Sequence, residues 1–393
     1  MILITFHLAE LYDVNAQIMI TAVAGLFILP FFLFSSLAGQ IADKYEKSFL
    51  IRIIKFVEIV LMCLTAAAFE TMHLWWLVFL LFCMGTQSTF FGPLKFSILP
   101  QLLNDEELVA GNGLVNAGTN IAILTGTLCG GLFILSPLGR HYISAGVVGV
   151  AVAGYAASRF IPLAAPSSPK LRIDRNLFRS TWEMLVYPLS NKDVFRSIIG
   201  ISWFWFLGSV FLAQFPSFAK DTLGGDEQVS TLFLVIFSVG VGAGATLCNK
   251  LLKGRVSGRY LSYSLIGMSV FIGMLYMFSA SAPAGEGLMS VWEFLRGPRA
   301  AGIVFSMFMI ALSGGLYSVP MYAMMQRMTP ESHMARVIAS LNIIDSLGMV
   351  LAAALTALMI AAGMSISGIF FAMAFINLLM LPLTIKLSRI NYD

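Results

Sequence analysis

One lysine stands near the end of a long apolar run, in Phe91-Gly92-Pro93-Leu94-Lys95-Phe96-Ser97-Ile98-Leu99-Pro100. Gly92 and Pro93 can loosen a helix and free backbone carbonyls just ahead of the cation. An ammonium kept at membrane depth is costly and marks function, whereas one that snorkels to the interface is cheap and means little. Both readings of Lys95 stay open on the pattern alone. Asp345 poses a similar choice: it is the only acid in its apolar run, suited to a ligand or to a hydrogen bond between packed helices. Asn116 and Asn120 lie four apart, so they share a helix face and either line a cavity or bond to neighbouring helices. Arg52, Lys55 and Glu58, spaced by three, also share a face and read as a latch of Arg or Lys with Glu.

Other chemistry finds no footing. His7, His73, His141 and His333 sit near segment ends without a metal-ligand pattern, and no metal is expected. Cys63, Cys83, Cys129 and Cys248 all fall in apolar segments and read as free core thiols. No Gly-x-x-x-x-Gly-Lys-Ser/Thr string is present, which argues against ATP-driven transport by this chain, and no cofactor or catalytic residue is expected.

The elements that hold these residues follow from composition. The chain is 58% hydrophobic and 11% charged, far below the roughly 25% charge of a soluble domain. Apolar runs of about 20 residues recur along the whole length, each long enough to span a hydrocarbon core as a helix. They cover about 17–39, 49–69, 74–98, 108–135 and 143–162, then 194–218, 229–252, 260–280, 300–325, 336–362 and 365–387. An apolar stub at 1–8 is too short to cross and reads as the outer part of a truncated first helix. The polar stretch 164–193, with Lys170, Arg172, Arg175 and Arg179, is the one long linker. The expected organisation is a six-helix half over 1–163, a basic cytoplasmic linker over 164–193 and a second six-helix half over 194–393. With sides alternating, all of the 24 Lys and Arg except Arg140, Lys220, Arg296 and Arg299 fall on one side, which marks it as cytoplasmic and puts the C-terminus there. Because the bases lie in short loops between spans, the net charge of +4 does not point to nucleic acid.

Two loops carry a gating pattern. Gly39-Gln40-Ile41-Ala42-Asp43-Lys44 sets a small residue at a span's end and an acid beside a base, which lets helices approach and their ends latch. The second half repeats it in degraded form as Gly244-Ala245-Thr246-Leu247-Cys248-Asn249-Lys250, followed by Lys253 and Arg255. At these places the strings resemble the signature loop of the major facilitator superfamily. The resemblance implies an all-α membrane protein of that fold, with Gly39, Asp43, Lys44, Lys250 and Arg255 as gate residues.

A sharper likeness joins the Lys95 run to Leu108-Val109-Ala110-Gly111-Asn112-Gly113-Leu114. Together they resemble the lysophospholipid transporter family of that superfamily, and most closely the transporter portion of its fusions to acyltransferase domains. The resemblance implies inward movement of lysophosphatidylethanolamine, and of lysophosphatidylglycerol second, for re-acylation at the inner membrane of a bacterium. On that reading Lys95 meets the headgroup phosphate. Asp345, in Leu341-Asn342-Ile343-Ile344-Asp345-Ser346, meets the ethanolamine, with Asn342, Asn116 and Asn120 as further binding residues. Membrane lipids and a cytoplasmic acyltransferase are the implied partners. Two departures are visible: the family's Asp-Asn pair of the first span would lie upstream of Met1, and the seventh span, over 203–214, carries no cation. A proton-coupled drug or metabolite exporter of the same fold, with Asp345 as the titrating acid, is the alternative. A scaffold that recruits the acyltransferase through Lys170–Arg179 is a third.

Overall fold

Apolar segments in a bilayer must satisfy their backbone internally, and helices do so. A computed structural model of the chain describes residues 16–133, 138–174, 176–279 and 288–390. The stub at 1–8 and Arg175 of the linker lie outside the described residues. The principal helices are α1 (Ala16–Lys44), α2 (Lys47–Thr71), α3 (Leu74–Ser97), α4 (Asp105–Phe133), α5 (Gly139–Ser158), α6 (Leu177–Ser190), α7 (Lys192–Ser217), α8 (Glu227–Leu252), α9 (Leu261–Ser279), α10 (Ala300–Met328), α11 (Met334–Ala361) and α12 (Ile366–Leu378).

Their starts are set by side chains that cap orphaned amides. Glu46 accepts from the amides of Ser48 and Phe49 at the head of α2, Asn191 from those of Asp193 and Val194 at α7, and Asp226 from those of Gln228 and Val229 at α8. Among the described residues eight helices are long and apolar enough to cross a membrane, or nine if Ile366–Leu378 and Leu381–Ser388, bent by 42°, form one span. The chain is therefore a multi-pass membrane protein. Helix α2 has the length, at 25 residues, but gathers Lys47, Arg52, Lys55 and Glu58 into its first turns.

The polar stretch expected as a plain linker holds a helix, α6. Its start is fixed by Asn176, whose side chain accepts from the Arg179 amide at 3.1 Å. Polar residues dominate the composition of the stretch and mask the apolar face that lets α6 pack.

The helices gather into two compact units. The first comprises Met1–Leu102, Thr125–Ser190 and Thr329–Ser346. In it α1 packs on α3 and α6, and α2 packs on α3 and α5. Ala42, Ile51, Leu94, Ile98, Ala164 and Ala335 form a common core there, which ties the head of α11 to α1–α3. The second unit comprises Leu103–Leu124, Asn191–Met328 and Leu347–Asp393. Its axis is α10, packed by α7, α8 and α9. Helices α8 and α10 touch through Gly240-x-x-x-Gly244: a methyl at Gly240 would come 2.6 Å from Ala311 Cβ, and one at Gly244 would collide with the Leu312 carbonyl. Small residues spaced by four are how membrane helices bring their backbones together. Each unit thus holds the opening turns of a helix, α11 in the first and α4 in the second, whose remainder is grouped with the other.

Candidate functional site

Lys95 sits in the last turn of α3, partly buried, with its ammonium 4.7 Å from the centre of the Phe96 ring. Gln87, Phe91 and Lys95 recur every four residues and so form one stripe along α3. Two charges of α2 attach to that stripe. Glu58 accepts from Gln87 Nε2 at 2.8 Å and pairs with Lys55 at 2.8 Å, and Lys55 lies 4.5 Å from the centre of the Phe91 ring. The expected latch within α2 therefore holds for Lys55 and Glu58. Arg52 instead donates to the carbonyls of Ser158 and Ile161, at 3.5 and 3.2 Å, and caps the end of α5.

On the neighbouring face of α3, Gly92 admits α11. A methyl there would stand 2.8 Å from Asn342 Nδ2, so only hydrogen leaves room for that amide. The Asn342 Nδ2 is buried with no hydrogen-bond acceptor among the described residues. Asp345 follows one turn later on α11 and is 7% exposed. The first unit thus brings together the Gly92–Lys95 turn, the Lys55–Glu58 pair, and the Asn342–Asp345 turn. That unit gathers cations, carboxylates and one buried amide donor that has no acceptor among the described residues. Asn116 and Asn120 belong to the second unit. Asn120 donates to the Asn116 carbonyl of its own helix at 2.9 Å, and the Asn116 Nδ2 is buried without an acceptor among the described residues.

The first gate loop is closed on α11. Asp43 is fully buried; its carboxylate accepts from the amides of Ala335 and Arg336 at 3.0 and 3.4 Å and from Arg336 Nε at 2.9 Å. A carboxylate on the exposed amides of a helix N-terminus is favoured by the helix dipole as well as by hydrogen bonding. Gly39, one turn earlier, lies so near α11 that a methyl would come 2.8 Å from Ala339 Cβ. Lys44 sits 5.7 Å from the centre of the Tyr45 ring, while the buried Lys47 donates to Ser167 Oγ at 2.6 Å and Gln101 Oε1 at 3.1 Å. Glu46 accepts from the Ala164 amide at 2.9 Å, besides capping α2. Burial works to raise the pKa of Glu46, but the amides of Ala164, Ser48 and Phe49 outweigh it and hold the carboxyl below its ordinary 4.5.

The second unit has a matching closure at the head of α4. Arg327, at the end of α10, pairs with Asp105. Asn112 and Gln326 exchange amide hydrogen bonds at 2.5 and 3.2 Å. The loop after α8 approaches α4 through Gly254, whose φ of +76° and 2.7 Å clearance from the Glu106 carbonyl suit glycine alone. Lys250 and Arg255 are exposed.

Arg336, Asp105, Arg327 and the Asn112–Gln326 pair did not stand out in the sequence. Each lies at a span's end, where a polar residue looks ordinary, and the partners in every pair are 214 or more residues apart in the chain.

Residues 1–297 match the family model described as Major Facilitator Superfamily. The chain is 25% identical over 315 residues to the lysophospholipid transporter LplT of Salmonella gallinarum, covering 78% of this chain and 70% of that one, and to that of Salmonella typhimurium to the same extent. Among solved structures, a bacterial homologue of the iron transporter ferroportin in an outward-facing state superposes with a TM-score of 0.69 at 13% identity, over 98% of this chain and 94% of that one. The human organic anion transporter MFSD10 gives 0.71 at 10% identity, over 92% and 82%. These likenesses establish the fold.

Proposed function

Because this chain belongs to the Major Facilitator Superfamily, a family of transporters and not a class of enzymes, we propose that its cargo is a lysophospholipid. The preferred substrate is lysophosphatidylethanolamine, with lysophosphatidylglycerol second, moved to the cytoplasmic leaflet of a bacterial inner membrane for re-acylation. The observation that carries this reading is the meeting of the Gly92–Lys95 turn with Asn342, one turn from Asp345, in a chain similar to curated lysophospholipid transporters. The ammonium of Lys95 suits a phosphate, and the carboxylate of Asp345 suits the ethanolamine. Asn342 supplies a donor for the glycerol or phosphate oxygens, with Asn116 and Asn120 as further binding residues.

In this proposal two six-helix halves, 1–163 and 194–393, rock about the site. The Asp43–Arg336 latch and its counterpart at Asp105–Arg327 close the cytoplasmic side, with Gly39, Lys44, Lys250 and Arg255 shaping the two loops. The C-terminus lies in the cytoplasm, where most of the Lys and Arg fall. A cytoplasmic acyltransferase consumes the delivered lipid.

The test is uptake of labelled lysophosphatidylethanolamine into vesicles carrying the protein, compared with Lys95→Ala at matched insertion. Uptake that depends on Lys95 supports headgroup recognition. No uptake by the parent protein sinks the proposal. Burial of Asp345 favours one second reading, export driven by a proton gradient, since such a cycle needs an acid within the spans. Substrate movement that collapses with the proton gradient, and ignores lysophospholipid, would select it.

A further inference from the structure

Helix α6 shows three separate faces. The first packs within its unit: Ser180 bonds to Ser36 of α1, the Met184 carbonyl accepts from Ser340 Oγ of α11 at 2.9 Å, and the Tyr187 ring stacks on His333 at 4.3 Å. Met184 is buried with Ala339 and Ile343, against Phe32. The second is polar, with Arg179 paired to Glu183 at 2.8 Å. The third is apolar and bare: Phe178 is 88% exposed, Trp182 70%, Leu189 51% and Val186 42%. At 100° per residue these four fall within a quarter-turn of one another, so they make one edge.

We infer that this edge of α6 enters the headgroup region of a phospholipid leaflet rich in anionic lipid. Three observations select a bilayer as the occupant. Helix α6 lies along α1 and α11, two membrane spans, so a face turned away from them meets the lipid that surrounds those spans. The chain just before it also exposes large apolar side chains, Phe160 and Leu163, where α5 leaves the membrane. The segment 164–190 carries Lys170, Arg172, Arg175 and Arg179 against only Asp174 and Glu183, which complements anionic headgroups. An aromatic apolar edge flanked by bases suits that region, with its tryptophan at headgroup depth. The inference needs only that the chain spans a membrane, and holds whichever solute it carries.

A spin label reads the occupant directly. Trp182→Cys is made in the full chain with Cys63, Cys83, Cys129 and Cys248 replaced by alanine, labelled with a nitroxide and reconstituted. Vesicles of phosphatidylethanolamine with phosphatidylglycerol are compared with vesicles of phosphatidylcholine. The expected result is a label several-fold more open to oxygen than to a water-soluble nickel chelate, with the bias weakened in phosphatidylcholine. A label freely open to the chelate in both compositions overturns the inference, as does one shielded from both reagents, which would mean that a protein or a second copy covers the edge. Equal immersion in the two compositions overturns the anionic preference. If the cysteine-free chain does not fold, quenching by brominated lipid of the fluorescence that Trp182→Phe removes gives the same reading.

Discussion

Asp43 and Arg336 stand 293 residues apart in the chain, yet Arg336 Nε lies 2.9 Å from Asp43 Oδ2. The same carboxylate also accepts the amides of Ala335 and Arg336. The contact therefore couples an ion pair to a helix cap, and the two parts can be separated.

Asp43→Ala should lower stability by roughly 3 kcal/mol, because it leaves the arginine and two amides without their acceptor. The exchange Asp43→Arg with Arg336→Asp keeps opposite charges but removes the cap. Thermal melting of both variants in detergent decides the matter: a charge swap as stable as the parent would mean that the ion pair alone matters.

Lys95→Ala is expected to cut the initial rate of lysophosphatidylethanolamine uptake by about tenfold or more, the scale of one lost charged hydrogen bond. Lys95→Arg should retain part of the rate. Equal losses in both variants, with normal insertion, would point to a packing role for the lysine stem.

Gly92→Ala places a methyl against Asn342 and should cost about 1–3 kcal/mol, as overpacking does. Asn342→Ala in the same chain should recover the stability without recovering uptake. Recovery of both would show that Asn342 is only a spacer.

Glu46 gives a pH dependence with a definite sign. Its folded pKa lies below the ordinary 4.5, so its contribution is fully present above the unfolded value and fades as pH falls through the folded one. The melting temperature of the parent should therefore exceed that of Glu46→Gln at neutral pH, and the gap should close in acid. A gap that widened on acidification would contradict the assignment.

The parts legible in the sequence are those in which one residue is out of place locally. A cation in an apolar run identified Lys95, a lone acid identified Asp345, and Gly39 with Asp43 marked a loop. Apolar length alone outlined the spans. Pairing across the chain left no such trace: Arg336 looks like any base at a span's end, and only packing of α1 beside α11 joins it to Asp43. Helix α6 was hidden differently, since its apolar residues are spread at helical spacing through a stretch whose composition is polar. The Gly240-x-x-x-Gly244 pair was readable in principle, as small residues four apart on a span are a packing signal.

The latch also has a history in time. At about 5–20 residues per second of synthesis, the 293 residues between Asp43 and Arg336 take roughly 15–60 s to appear. Throughout that interval the carboxylate of Asp43 has neither the guanidinium nor the amides that later enclose it, and it must stay hydrated at the membrane surface. The first loop can therefore lock only after the ribosome has delivered the eleventh helix, which makes this closure one of the last events in the protein's assembly.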